Sequence, residues 1–121
     1  MKLCLVVDDS RVVRTVARKI LEDLSFTVSE AEDGKTALSL CQSQKFDAVL
    51  LDWNMPVMNG LEFIKSLRAS GINPQPKVIF CTTENSKNQI VEAIGAGADE
   101  YIMKPFDSEI IESKFRQVGL I

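Results

Sequence analysis

Short apolar segments alternate along this chain with longer segments that have the spacing of amphipathic helices. The apolar segments have the length of strands, and their lack of polar residues is typical of strands covered on both faces. The candidate strands are residues 3–7, 48–51 and 78–81, with weaker ones at 26–29 and 101–103. The candidate helices are residues 10–24, 35–44, 61–69, 87–96 and 108–117. This alternation predicts an α/β fold with a doubly wound, five-stranded parallel sheet flanked by five helices.

The length and composition are typical of one domain that folds without disulfide bonds or a structural metal. The 121 residues are 45% hydrophobic, which supplies a core without disulfides or a structural metal. We therefore expect residues 1–121 to form a single domain with no attached DNA-binding or catalytic output domain. A net charge of −3 and the lack of a Lys/Arg block argue against nucleic-acid binding.

The N-terminus and the cysteines indicate the compartment. The first apolar run is too short for a signal peptide or a membrane span, so we expect a cytoplasmic protein without membrane association. The three cysteines, Cys4, Cys41 and Cys81, are far apart in the sequence. We expect them to be free and buried in the core, as in a reducing compartment.

The sequence contains no histidine. This absence excludes nucleophiles activated by imidazole, histidine zinc sites and a phosphohistidine on this chain. Any chemistry must therefore use carboxylates, hydroxyls or amines.

Polar side chains follow the predicted strands at their carboxyl ends, where ligands bind in open parallel sheets. The residues at these positions are Asp8, Asp9, Asp52, Thr82, Thr83 and Lys104. Taken singly, each has an ordinary explanation, such as helix capping or a solvated surface position. Two carboxylates about 4 Å apart repel by roughly 4 kcal/mol at an effective dielectric of about 20, whereas a helix N-terminus returns only about 0.3–1 kcal/mol to each. The group therefore predicts a bound divalent cation, and its all-oxygen ligands favour Mg²⁺.

Four segments carry a resemblance to a known family. They are residues 6–11 (VVDDSR), 51–60 (LDWNMPVMNG), 82–84 (TTE) and 101–106 (YIMKPF). In this order and spacing they resemble the receiver domain of two-component response regulators, most closely the stand-alone receivers of the chemotaxis type. The resemblance covers essentially the whole chain. It implies a flavodoxin-like fold with the strand order 2-1-3-4-5.

The resemblance also implies the chemistry of the acidic group. Asp52 would accept a phosphoryl group from a phosphohistidine on a sensor histidine kinase or a histidine phosphotransfer protein. Asp9 and Asp52 would bind Mg²⁺ through their side chains, Asn54 through its backbone carbonyl and Asp8 through a water molecule.

The remaining roles implied by the resemblance concern the response to phosphorylation. Lys104 would contact the phosphoryl oxygens and precede a cis bond to Pro105. Thr82 would move towards the phosphoryl group, and Tyr101 would change rotamer. These changes would bias a two-state face formed by the fourth helix, fifth strand and fifth helix, which would bind an unidentified downstream protein. We expect the protein to be a monomer.

A few positions depart from the family pattern or modulate it. Asn59 stands where an aspartate is frequent, and Thr83 stands where a smaller residue is common, which leaves open which threonine supplies the switch hydroxyl. Asn54 and Glu84 occupy positions where the family tunes the lifetime of the phosphorylated state. Trp53, beside a polar loop, is expected to be partly exposed.

Two alternatives come from other functional classes. A Mg²⁺-dependent phosphohydrolase would also use Asp52 as nucleophile. Phosphatases of the haloacid-dehalogenase type, however, carry a second aspartate where this chain has Asn54, and they need a cap domain for which 121 residues leave no room. A flavodoxin-like FMN carrier is disfavoured by the acidic first turn, which does not suit a phosphate. We therefore expect a signalling protein rather than an enzyme.

Overall fold

A parallel sheet of five strands organises the described part of the chain, which in this computed structural model comprises residues 2–55, 57–83 and 87–121. The strands are β1 (Leu3–Val7), β2 (Thr27–Ala31), β3 (Ala48–Asp52), β4 (Lys77–Thr82) and β5 (Glu100–Met103). The helices are α1 (Arg11–Asp23), α2 (Gly34–Ser43), α3 (Gly60–Ala69), α4 (Lys87–Ala96) and α5 (Ser108–Gln117). The spatial order is β2-β1-β3-β4-β5, with every neighbouring pair parallel, so the expected fold is confirmed. No helix in these ranges is both long and apolar enough to cross a membrane.

Alternate residues of each central strand contribute to two separate cores, one on each face of the sheet. In β1, Leu5 and Val7 belong to the core shared with α2, α3 and α4, whereas Cys4 and Val6 belong to the core shared with α1 and α5. Burial on both faces explains why these strands show no alternation of polar and apolar residues. All three cysteines are free and buried, as predicted.

The second strand is the element that the sequence places least accurately. It was expected at residues 26–29 and lies at Thr27–Ala31, whereas the bounds of the other elements differ from expectation by at most one residue. Phe26 packs edge-on against Phe115, with ring centroids 5.5 Å apart, and its N–H donates to the carbonyl of Leu21. This apolar residue therefore closes the end of α1 instead of starting the strand.

The helices α1 and α5 end in the same backbone motif but with different residues at its critical position. Beyond α1, Ser25 has a φ of 71°, and the N–H groups of Ser25 and Phe26 donate back to the last turn of the helix. Beyond α5, Gly119 occupies the equivalent place with a φ of 82°. Because this left-handed conformation is costly for residues with a Cβ atom, α1 ends with strain that α5 avoids.

Replacing Ser25→Gly is expected to raise the free energy of unfolding by about 0.5–1 kcal/mol, since it removes this strain at an exposed position. The reverse substitution in the matching motif, Gly119→Ser, should lower the free energy of unfolding by a similar amount. Urea denaturation with unchanged m values measures both effects. A Ser25→Gly variant no more stable than the parent protein would contradict the prediction.

Candidate functional site

The polar residues predicted at the carboxyl ends of the strands lie side by side along one edge of the sheet. We call this edge, with Asp8, Asp52, Thr82 and Lys104, the rim. Asp8 follows β1, Asp52 and Thr82 are the last residues of β3 and β4, and Lys104 follows β5. The parallel pairing places these strand ends side by side, as in the alignment of Asp52 with Cys81, the residue before Thr82. The rim is therefore a direct consequence of the fold.

One lysine bridges the two buried carboxylates of the rim. The Lys104 Nζ atom lies 2.7 Å from Asp8 Oδ2 and 3.1 Å from Asp52 Oδ1. Asp8 is only 3% exposed and Asp52 6% exposed. Because water screens these groups little, the ammonium is the principal compensation for two adjacent negative charges.

A third carboxylate joins this pair from the solvent side. One oxygen from each of Asp8, Asp9 and Asp52 lies within 4.8 Å of the others, and Asp9 is exposed. Three carboxylates and one ammonium leave an excess of negative charge. An oxygen-only donor set of this kind suits a hard divalent cation that keeps part of its water shell, as Mg²⁺ does.

The crowding of charge alters the protonation of both partners. Burial, together with the charges of Asp8 and Asp9, raises the pKa of Asp52 despite the opposing effect of Lys104. Burial alone would lower the pKa of Lys104, but its hydrogen bonds to Asp8 and Asp52 and their charges outweigh burial and raise it. The ammonium is therefore held firmly protonated, while the charged form of Asp52 is disfavoured.

The backbone at the start of α3 packs closely against the backbone of Asp52 and Trp53. The N–H of Gly60 donates to the carbonyl of Trp53 at 3.0 Å. A Cβ atom on Gly60 would lie only 3.0 Å from both the Asp52 carbonyl oxygen and the Trp53 Cα atom. A glycine is therefore needed at position 60 because a side chain would crowd the backbone of Asp52 and Trp53. The sequence around Gly60 does not indicate this contact.

The two candidate switch threonines have different surroundings. Thr82 is 1% exposed, and its hydroxyl donates a hydrogen bond of 3.0 Å to Gln89 Oε1 on α4. Thr83 is exposed and faces an apolar groove beside Lys104 and Pro105. The buried Thr82 therefore connects the rim to α4. The peptide bond between Lys104 and Pro105 is cis, as predicted.

The expectation of a partly exposed Trp53 is wrong. The residue is 8% exposed, and its ring packs against Phe80, with centroids 5.2 Å apart. Phe80 in turn packs against half-buried Tyr101, at 5.9 Å, and Lys114 Nζ of α5 lies 5.0 Å from the Tyr101 ring centroid. A row of aromatic rings thus leads from the residue after Asp52 to the side of the molecule formed by α4, β5 and α5.

Among the described residues, no hydrogen bond or ion pair joins the side chain of Asn54 to the site. Asn54 lies two residues beyond Asp52 and is exposed, so the role of its carbonyl stays a prediction. Glu84 lies outside the described residues.

Comparison with known proteins agrees with this geometry. The family model of the response regulator receiver domain matches residues 4–116. The chain belongs to this family. Receiver domains are signalling modules and not classical enzymes, which supports the predicted class.

Individual receivers resemble the chain along nearly its whole length. It is 37% identical to the chemotaxis protein CheY of Pseudomonas aeruginosa, over 94% of this chain and 93% of that protein. The structure of the chemotaxis response regulator CheY4 of Vibrio cholerae is 35% identical, with a TM-score of 0.91 and 98% of both chains covered. The receiver domain of a sensor histidine kinase from Pseudomonas aeruginosa, which contains magnesium in its active site cleft, is 28% identical, with a TM-score of 0.86 and 98% of both chains covered.

The raised pKa of Asp52 predicts that its charge destabilises the metal-free receiver. A carboxyl group with a raised folded-state pKa costs no stability at low pH, and the penalty develops as the pH rises from the ordinary pKa of the group to the raised one. We therefore expect Asp52→Asn to raise the free energy of unfolding by about 1–2 kcal/mol at pH 7 in the presence of a chelator. The gain should shrink as the pH is lowered towards about 4, the ordinary pKa of the carboxyl group.

Urea denaturation over this pH range measures the effect. Asp23→Asn, an exposed position at the end of α1, is the matched control and should change stability by less than about 0.5 kcal/mol. If Asp52→Asn were destabilising at pH 7, the ion pair with Lys104 would outweigh the cost of burial and repulsion, contrary to the prediction.

Proposed function

We propose that the chain is a phosphorylation-dependent response regulator in which Asp52 accepts a phosphoryl group from a phosphohistidine of a sensor histidine kinase or a histidine phosphotransfer protein. The observation that carries this proposal is the position of Asp52. Its buried carboxylate is bonded to Lys104 and lies beside Asp8 and Asp9 at the carboxyl edge of the sheet. The sequence has no histidine, so the donor imidazole lies outside it.

The acidic group is the proposed magnesium site. Asp9 and Asp52 would hold Mg²⁺ through carboxylate oxygens, Asn54 through its backbone carbonyl and Asp8 through a water molecule. When bound, Mg²⁺ supplies positive charge that stabilises the transferring phosphoryl group. The excess negative charge among Asp8, Asp9 and Asp52 supports this assignment.

The transfer step uses groups that the chain already places together. One carboxylate oxygen of Asp52 forms a bond to phosphorus while the bond from phosphorus to the donor imidazole nitrogen breaks. The imidazole leaves with the electron pair of that bond and is protonated from solvent. Lys104, already 3.1 Å from Asp52, would then contact an oxygen of the phosphoryl group. The chain would therefore catalyse only the phosphorylation and dephosphorylation of its own Asp52, and no reaction of a separate substrate.

The proposed output is the binding of another protein by the face formed by α4, β5 and α5. Thr82 would leave Gln89 for an oxygen of the phosphoryl group, and Tyr101 would change rotamer at the end of the aromatic row. Both residues border this face, which supports their role as the switch. The similarity to chemotaxis proteins of Pseudomonas aeruginosa and Vibrio cholerae favours a target in a chemotaxis pathway.

Trp53, the only tryptophan, adjoins Asp52 and is a natural reporter of these events. We expect its fluorescence to change once when Mg²⁺ is added and again when acetyl phosphate is added. The second change should coincide with the mass of one phosphoryl group on the intact protein. Asp52→Asn should abolish both the second change and the added mass, whereas Asp23→Asn should leave them intact. Equal phosphorylation of Asp52→Asn and the parent protein would refute Asp52 as the acceptor.

An apolar surface beside the rim is the proposed contact for the phosphodonor protein. Val12 and Val16 of α1 are exposed, and with Phe106 they border a groove that reaches Lys104. The phosphohistidine must bring phosphorus within bonding distance of Asp52. The donor protein must therefore cover the surface next to the rim, and this groove offers apolar area that association would bury.

Val12→Glu should therefore slow phosphotransfer from a phosphorylated histidine phosphotransfer protein by about tenfold or more, because it places a charge in the buried part of the complex. Phosphorylation by acetyl phosphate, which needs no docking surface, should stay within about twofold. Val91→Glu, at another exposed valine on α4, is the control for transfer. Slowing of both reactions by Val12→Glu would indicate damage to the site itself and count against the docking role.

A further inference from the structure

Arg14 of α1 contacts the acidic turn from behind. Its Nη1 atom donates a hydrogen bond of 2.7 Å to the backbone carbonyl of Asp8, and its Nε atom donates one of 3.0 Å to Glu30 of β2. The guanidinium is largely buried, with 14% of the side chain exposed. The contact is directed at the carbonyl of the peptide bond that joins Asp8 to Asp9, and therefore at the backbone that carries both acidic side chains.

The other polar groups of Asp8 are fixed as well. Its N–H donates to the carbonyl of Ala31 at 3.1 Å, and its Oδ1 atom accepts from the N–H of Ser10 at 2.8 Å. The exposed Asp9 carboxylate, by contrast, makes no hydrogen bond or ion pair with any described residue. Among the described residues, only the backbone therefore holds this carboxylate near Asp52, and Arg14 holds the carbonyl between the two acidic residues.

A guanidinium so close to a cation site would by itself repel the cation, since arginine is always charged. Glu30 counters this charge because it accepts hydrogen bonds from both Arg14 and Arg18. Burial raises the pKa of Glu30, but the hydrogen bonds and charges of the two arginines outweigh burial and lower it. Glu30 is thus ionised and both orients Arg14 and offsets its charge.

We propose that Arg14 is a positioning residue for the cation site. Arg14 holds the peptide group between Asp8 and Asp9 so that the Asp9 carboxylate faces Asp52. This inference rests on the proposed magnesium site and adds a residue that the site's own composition does not reveal. Arg14 touches neither the cation nor the phosphoryl group in this proposal. It acts through the backbone between two ligands, as outer-shell partners of metal ligands commonly do.

Charge and position predict opposite outcomes when Arg14 is removed. If the guanidinium acted only through its charge, Arg14→Met would strengthen Mg²⁺ binding, because a nearby cation would be gone. If it acts by position, Arg14→Met should weaken Mg²⁺ binding by about tenfold. The sign of the change therefore separates the two roles.

Arg18 supplies the matched control because it shares the acceptor of Arg14 but not the contact with the acidic turn. Arg18 Nε donates to Glu30 at 2.7 Å and also lies near Glu22, and it has no hydrogen bond with Asp8. Arg18→Met should keep the Mg²⁺ dissociation constant within about twofold of the parent value. Loss of a Glu30 ion pair is common to both variants, so it cannot explain a difference between them.

The experiment titrates Mg²⁺ into the full chain and follows Trp53 fluorescence, with backbone amide NMR shifts of Asp9 and Ser10 recorded without metal. Weaker binding and shifted amides in Arg14→Met, with neither in Arg18→Met, would support the proposal. Binding as tight as or tighter than in the parent protein would overturn it while leaving the magnesium site in place. Failure of the parent protein to bind Mg²⁺ would overturn the site and this inference together. Arg14→Gln, which keeps a shorter polar side chain, replaces Arg14→Met if the latter does not fold.

Discussion

The repulsion among the carboxylates at the rim is the constraint on which the rest of the site depends. Asp8 and Asp52 are buried, and Asp9 lies close to both. Each close pair of such charges costs several kcal/mol at an effective dielectric of about 20. Lys104 compensates part of this cost by bridging Asp8 and Asp52, but burial, together with the charges of Asp8 and Asp9, still raises the pKa of Asp52. The arrangement of carboxylates at this edge of the sheet therefore suits a cation.

A cation and a phosphoryl group act on this balance in opposite directions. A bound cation relieves the repulsion, whereas a phosphoryl group on Asp52 adds negative charge in the place where Lys104 now bonds to the carboxylate. In the proposed function the two ligands therefore depend on each other, and Lys104 must divide its hydrogen bonds between more acceptors than it now has. In that proposal the consequences of phosphorylation would begin with this redistribution, since Lys104 joins the end of β5 to the ends of β1 and β3.

Much of the fold and the site was predictable because both depend on local patterns and on strand order. Apolar runs without alternation identified β1, β3 and β4, and the carboxyl ends of β1 and β3 located the acidic residues. Lys104 was located by the end of the weaker strand β5. The errors arose where distant residues decide the outcome. Phe26 belongs to the end of α1 because of Phe115, which is far away in the sequence.

The burial of Trp53 and the position of Arg14 also depend on residues that are distant in the sequence. Trp53 is covered because β4 places Phe80 beside it, and the polar neighbours of Trp53 in the sequence say nothing of that contact. Arg14 reads as one more basic residue on the polar face of an amphipathic helix. Only the position of α1 over the end of β2 brings it to both Glu30 and the Asp8 carbonyl.

The hydrogen bond between Thr82 and Gln89 gives the proposed switch an energy scale. A bond between two neutral side chains contributes about 0.5–1.5 kcal/mol, and a bond to a charged acceptor about 1.5–3 kcal/mol. Moving the Thr82 hydroxyl from Gln89 to an oxygen of the phosphoryl group would therefore gain about 1 kcal/mol, which corresponds to roughly a fivefold change in population. One such bond biases the equilibrium of α4 without locking it. A strong switch must add the contribution of Lys104 and the packing of Tyr101, so that several weak preferences at the rim act on the same face.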